Sequence, residues 1–191
     1  MLEDLIISRV RVKILQLFFQ NIGQMYHVRE IVRRVDEEIN AVRRELLHLE
    51  KAGILQKDRR ANRLFYILRR DYPLHFDLLY LTAKTTGLGG GILKNRVKIG
   101  RLKYVCLSGK FIRNLPRTQN EVDLLVVGKA VIPELAQLIR HEEGRRNGEI
   151  NYTVMTEDEF EFRKKRKDPF ILGILNSSKL MIVGDEEELI H

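Results

Sequence analysis

The stretch LSGKFIRNLPRTQNEVDLLVVG, Leu107 to Gly128, limits the folds open to this chain more than any other. Two Val- and Leu-rich runs, YVCLSG and EVDLLVVG, each end in glycine and flank a polar, basic connection. Short apolar runs rich in β-branched residues and bounded by turn residues read as strands, here as neighbours in a half-buried sheet. VIPELAQLIRHEEGRRNG follows as a helix with Pro133 in its first turn, where a missing N–H costs nothing. EINYTVMT reads as a third strand, and EDEFEFRKKRKDPFILGIL as two helices broken at Asp168-Pro169. KLMIVGD gives the last strand and GDEEELIH a solvated tail. This alternation specifies an α/β layer.

The first part of the chain has a different period. Ile6, Val10, Ile14, Leu17 and Phe18 recur at helical spacing, and Asn21-Ile22-Gly23-Gln24 ends that helix. The short β-rich MYH precedes VREIVRRV, a second helix that buries Val28, Ile31, Val32 and Val35. Asp36-Glu37-Glu38 makes a turn into a third helix, roughly Ile39 to Ala52, with Val42, Leu46 and Leu49 inward and Gly53 as its stop. Two strand-like runs follow around Arg60-Ala61-Asn62-Arg63, with Asn62 suited to a turn of positive φ. Three helices and a basic hairpin make a winged helix-turn-helix. The third helix has the width to enter a major groove, with Asn40, Arg43 and Arg44 towards base edges. Lys57, Arg59, Arg60 and Arg63 crowd the hairpin, within reach of phosphates. The plainer alternative is a three-helix domain with a solvated basic surface.

Charge supports the division. The net charge is +8, and residues 1–70 carry fifteen Lys/Arg against nine Asp/Glu. Residues 89–117 carry eight basic and no acidic residues, whereas the remainder to 191 is net acidic. A basic first half suits a polyanion partner. The single Cys106 excludes an internal disulfide and fits a reducing cytosol. No apolar run approaches the ~20 residues of a membrane span, and the start of the chain lacks the pattern of a signal peptide. The expectation is a soluble, cytoplasmic protein with no membrane partner.

Between the two parts, DYPLHFDLLYLTAKTTG reads as a helix with Leu74, Leu78, Leu79 and Leu81 apolar, and Gly87 to Gly91 as a flexible junction. ILKNRVKIGRLKY spaces Lys94, Arg96, Lys98, Arg101 and Lys103 among apolar residues. That strip is either an exposed face or a second phosphate-contacting surface. The expected domains are 1–70, a connector 71–91, and 92–191.

INAVRRELLHLEKAGIL resembles the recognition helix of ArsR- and MarR-like transcriptional regulators, which runs Val-x-x-x-Leu-x-x-Leu-x-x-x-Gly-Leu/Ile. The turn before it lacks the customary Gly, and Glu38 stands where a Ser or Thr cap is common. Residues 92–191 resemble the minimal nucleotidyltransferase domain of the DNA polymerase β type. The whole chain, from about Ser8 to Leu189, resembles winged-helix regulators fused to such a domain, through HVREIVRRV, LEKAGIL, LSGKF, VDLLVVG, EINYTVMT, DPFILGIL and IVGDEEEL. The resemblance implies an α+β chain: an N-terminal winged helix-turn-helix domain followed by a small α/β nucleotidyltransferase-like domain.

That family's chemistry uses a Gly-Ser turn for the triphosphate, two carboxylates at i and i+2 for two metals, and a third on a neighbouring strand. Here Gly109-Lys110 replaces Gly-Ser, Glu121 and Asp123 stand at the residual metal-site positions, and Asn151 replaces the third acid. Three departures together argue against transfer, because errors of about 1 Å cost orders of magnitude. No catalytic residue, metal or cofactor is therefore expected. Ser108, Gly109, Lys110, Arg113 and Arg117 form a candidate phosphate or ligand site for a small anionic or nucleotide effector. A bland alternative has Lys110 pairing with Glu121 or Asp123 in a structural or dimerising domain. The expected protein is a regulator of double-stranded DNA, acting as a homodimer. The alternative enzyme is a Mg-dependent nucleotidyltransferase using Glu121 and Asp123, and a third reading is an RNA-binding or interaction module. Five scattered His residues give no metal-ligand spacing.

Overall fold

The computed structural model describes residues 6–60 and 63–191, so the turn expected at Ala61-Asn62 and the first five residues lie outside the described residues. The fold is mixed α+β with two small sheets. The chain divides into two compact units between Thr82 and Ala83, within the segment expected as a connector.

The first unit runs α1 (Arg9–Gln20), β1 (Met25–His27), α2 (Val28–Val35), α3 (Ile39–Lys51), β2 (Leu55–Arg60) and β3 (Arg63–Leu68). Its sheet is antiparallel, in the order β1-β3-β2. α1 begins later than its periodicity suggested because Ser8 caps it, accepting from the Arg11 N–H at 3.2 Å. The buried face is consequently Val12, Ile14, Leu15, Phe18 and Phe19, while Val10 and Leu17 are only partly covered. A polar anchor fixes that rotation. The buried carboxylate of Glu45 accepts from Ser8 Oγ at 2.7 Å and Arg11 Nε at 2.8 Å. Burial pushes Glu45 up, but the Ser8 and Arg11 hydrogen bonds outweigh it and hold the carboxyl below its ordinary value. On α2 only Ile31 and Val35 are fully buried, with Val28 and Val32 half-buried.

α4 (His75–Thr85) follows. Its buried positions are His75, Leu79 and Thr82, and Leu74 is exposed rather than inward. The imidazole lies 5.7 Å from the Phe19 ring, and its Nδ1 is 3.0 Å from the Arg69 carbonyl, so the polar ring is satisfied where leucine was expected.

The second unit continues through α5 (Gly87–Lys94), α6 (Arg96–Ile99), β4 (Gly100–Ser108), α7 (Gly109–Ile112), β5 (Leu124–Ala130), α8 (Ile132–Arg146), β6 (Tyr152–Met155), α9 (Glu157–Lys165), α10 (Pro169–Asn176), β7 (Lys179–Val183) and α11 (Glu186–Ile190). The sheet order is β6-β5-β4-β7, with β5 and β6 parallel and the other pairs antiparallel. Leu124 to Gly128 are all buried, so β5 is covered on both faces and not half-exposed as its run implied. Phe160, Ile171, Leu175 and Leu189 pack with Cys106, Leu125 and Val127 on one of those faces. Burial pushes the Cys106 thiol up to about 12.

Two expectations are corrected here. The Gly87–Gly91 run is no flexible junction but the start of α5, with Leu88, Gly89, Gly90 and Ile92 buried. A Cβ at Gly89 would lie 2.2 Å from the Ala83 carbonyl oxygen, and one at Gly90 2.5 Å from the Thr85 backbone. These glycines therefore serve close helix packing. The acidic tail is likewise a helix, α11, capped by Asp185 and anchored by the fully buried Leu189. In the basic strip, Lys94, Arg96, Lys98, Arg101 and Lys103 are exposed as expected, but Val97 is exposed with them.

Candidate nucleic-acid interface and candidate ligand cleft

α3 is strongly two-sided. Val42, Glu45, Leu46 and Leu49 are buried, whereas Asn40, Arg43, Arg44 and Leu47 share an exposed face at i, i+3, i+4 and i+7 spacing. Leu47 is 59% exposed, an apolar side chain on the outer side of the helix, where its spacing puts it with Asn40, Arg43 and Arg44. The turn before α3 replaces its missing glycine with Asp36, which adopts the left-handed conformation at φ 51°. Glu38 substitutes for the usual hydroxyl cap, accepting from the Asn40 and Ala41 N–H groups at 2.8 and 2.9 Å. Those backbone hydrogen bonds, with Arg44 and Arg43 nearby, hold its carboxyl below the ordinary value. The acid is turned towards its own helix start.

On the hairpin, Lys57, Arg59, Arg60 and Arg63 are all exposed. Lys57 Nζ lies 2.7 Å from Glu50, and Arg60 Nε 2.9 Å from Asp58. Among the described residues, no ion pair engages Arg43, Arg44, Arg59 or Arg63. The first unit thus presents basic side chains on two successive elements, two of them partly neutralised.

In the second unit a cleft of 980 Å³ lies beside the start of α7 and the connection that follows it. Ser108, Gly109, Lys110, Arg113 and Arg117 all line it, so the fold brings the five candidate ligand residues together. Sequence reading missed Lys179, Ser178, Tyr152 and Phe170, which join them from β7, the turn before it, β6 and α10. Nothing local marks these four; only the sheet order brings their elements to one cleft. The turn is closely built. Ser108 Oγ accepts from the Phe111 N–H at 3.1 Å, and the Gly109 N–H donates to the Ser178 carbonyl at 2.6 Å. A Cβ at Gly109 would lie 2.4 Å from Ser178 Oγ, so glycine is required by close approach. Arg113 Nη2 donates to that same hydroxyl at 2.9 Å.

The two acids part company. Both precede β5, so the alternation of a strand does not hold them on one face. Glu121 Oε1 accepts from Lys110 Nζ at 2.6 Å and its Oε2 from the Thr118 N–H at 2.8 Å. The Lys110 hydrogen bond, then that of Thr118, holds the Glu121 carboxyl below its ordinary value. Asp123 is buried, and its Oδ2 accepts from Arg117 Nε at 2.7 Å and the Asn151 N–H at 2.9 Å. Asn151 Nδ2 donates to the Glu121 carbonyl at 2.7 Å, so the amide stitches two loops together. Glu121 lines the cleft and Asp123 does not. These residues do not fit a two-metal centre: an ammonium and a guanidinium already hold the two carboxylates, and only Glu121 lines the cleft. Among the described residues, no group of three or more His, Cys, Asp or Glu side chains is placed to hold a metal.

Farther along, Glu142 is buried on α8 and holds Arg145 and Arg146 at 2.5 and 2.7 Å. Arg146 in turn donates to the Phe111 carbonyl and to Asn114 Oδ1, bracing the end of α7 beside the cleft. In the basic run 163–167, Arg163 pairs with Glu159 at 2.7 Å and Arg166 lies over the Phe162 ring, the pattern of a solvated helix face. No helix among the described residues is long and apolar enough to cross a membrane. No protein-family model matches the chain, and a search of curated proteins found no match.

Proposed function

We propose that this protein is a sequence-specific DNA-binding transcriptional regulator, with a winged helix-turn-helix in its first unit and a catalytically degenerate nucleotidyltransferase-like second unit. The observation that carries this is α3, which buries one face and leaves Asn40, Arg43 and Arg44 exposed next to a basic hairpin. In this reading α3 enters the major groove, the two arginines hydrogen-bond to guanine edges and Asn40 to adenine. Leu47 meets a thymine methyl, and the hairpin grips phosphates. A homodimer sets two such helices about one DNA turn apart on a pseudo-palindrome. The second unit supplies dimerisation or ligand sensing, and the protein works in the cytoplasm without a metal cofactor.

The test is selection of bound fragments from genomic DNA by purified protein, followed by binding to the enriched duplex. Arg43→Ala with Arg44→Ala should lose that sequence and keep the fold. Equal binding by variant and parent would sink the assignment of α3. An RNA-binding or interaction module would instead show no duplex preference at about 150 mM salt, where charge-driven contacts weaken.

The competing reading, a Mg-dependent nucleotidyltransferase, requires Lys110 and Arg117 to release Glu121 and Asp123. It predicts Mg²⁺-dependent incorporation of labelled nucleotide that Asp123→Asn abolishes. The ion pairs at 2.6 and 2.7 Å favour the first reading.

A further inference from the structure

We propose that the cleft binds an anionic small molecule with an apolar body, without a divalent metal, and that this ligand competes with Glu121 for Lys110. The inference deepens the ligand-sensing role given above to the second unit and rests on it.

Size comes first. At 980 Å³ the cleft lies within the range of small-molecule sites, about 300–1,000 Å³. Its wall carries the cations Lys110, Arg113, Arg117 and Lys179 against a single carboxylate, Glu121. Much of that charge is already countered, since Lys110 meets Glu121, Arg117 meets the buried Asp123 and Lys179 meets Glu186, but of these acids only Glu121 lies on the wall itself. A divalent metal would need carboxylates to hold it, and both candidates, Glu121 and Asp123, are already engaged by cations, so the bare anion is the better match. Phe170, Ile174, Pro169 and Leu115 supply an apolar wall for the rest of the ligand.

The two ion pairs divide the work. Arg117 and Asp123 are 28% and 6% exposed at their side chains, so this inner pair is structural. Lys110 and Glu121 are 46% and 39% exposed, and an ion pair so open to water contributes little to stability. An incoming anion can therefore take over Lys110, while Glu121 keeps its hydrogen bond from the Thr118 N–H. Lys110 is the residue that exchanges partners. Lys179 stays in place, held by the Leu175 and Ser177 carbonyls and by Glu186.

Titration calorimetry of the full chain in EDTA tests this, with ADP as an anion carrying a flat aromatic base for the apolar wall and pyrophosphate as the anion alone. ADP should bind, more tightly than pyrophosphate. Lys110→Met should weaken ADP about tenfold, the size of one charge-assisted hydrogen bond. Glu121→Gln should strengthen it several-fold, since the amide keeps the Thr118 contact and no longer competes for the ammonium. Absence of ADP binding, binding that requires Mg²⁺, equal affinity for pyrophosphate, or weaker binding by Glu121→Gln would overturn the proposal. Should Lys110→Met fold poorly in a thermal melt, the Glu121→Gln and Mg²⁺ arms still decide. DNA selection is carried out without ADP and calorimetry without DNA, so failure of that reading and failure of this one are separate results.

Discussion

The arginines of α3 and the cations of the second unit's cleft are similar chemistry in opposite surroundings. On α3, Arg43 and Arg44 project from a helix whose other face is core, and among the described residues no carboxylate claims them in an ion pair. In the cleft, Arg117 is held by a buried Asp123, and Lys110 by Glu121. An unclaimed surface cation costs the fold almost nothing and is available to a partner. A guanidinium against a buried carboxylate is part of the fold, because removing either member strands the other. Burial of the acid, and not the count of basic residues, separates a binding surface from a brace.

Breaking each side of that contrast gives effects of graded size. Arg43→Ala with Arg44→Ala should cost about 2–4 kcal/mol in specific duplex affinity, measured by fluorescence anisotropy, and leave the melting temperature nearly unchanged. The reverse pattern is expected for Asp123→Asn. It should cost about 2–3 kcal/mol of stability in denaturant titration, because Arg117 loses its counter-charge, and leave duplex affinity intact. A smaller change should follow acidification. Burial raises the Glu142 carboxyl, but Arg145 and Arg146 outweigh this and hold it below the ordinary value. The unfolded chain therefore takes up the proton first. The stabilisation is complete above the ordinary glutamate pKa of about 4.3 and is lost as pH falls through the lower folded value. Denaturant midpoints between pH 6 and 3 should show this fall, and Glu142→Gln should flatten it. Finally, Arg59→Ala on the hairpin should reduce the salt slope of binding by about one and weaken all sequences alike. An effect of Arg59→Ala confined to one sequence would turn the hairpin from a phosphate grip into a reader of bases.

Much of this was legible in the sequence, and the failures have physical reasons. The strand core at 124–128, the break at Asp168-Pro169 and the inward Val42, Leu46 and Leu49 follow from period and punctuation, which are local properties. The rotation of α1 was not legible, because it depends on Ser8 and Arg11 meeting Glu45 from a distant helix. The glycine run 87–91 misled for a similar reason. Its composition suits a linker, and only the closeness of Ala83 and Thr85 explains why glycine suits a helix there. For the cleft, Ser108, Gly109, Lys110 and Glu121 lie on its wall, whereas Asp123 does not. The separation of the two acids needed the structure, since nothing in the spelling says that β5 starts at Leu124. Lys179 and Phe170 come from elements far along the chain and carried no local signal.

The left-handed Asp36 has a practical consequence for anyone handling the protein. A side chain at φ 51° carries a conformational cost that glycine does not, and Asp36 is exposed at the end of α2. Asp36→Gly should relieve that cost and partly offset it with greater freedom in the unfolded chain, so the net gain is a fraction of 1 kcal/mol at most. The substitution also removes a negative charge ahead of α3. Under the DNA-binding proposal it is therefore a mild dial on how strongly the first unit attracts any polyanion, turned without touching a residue that would read its sequence.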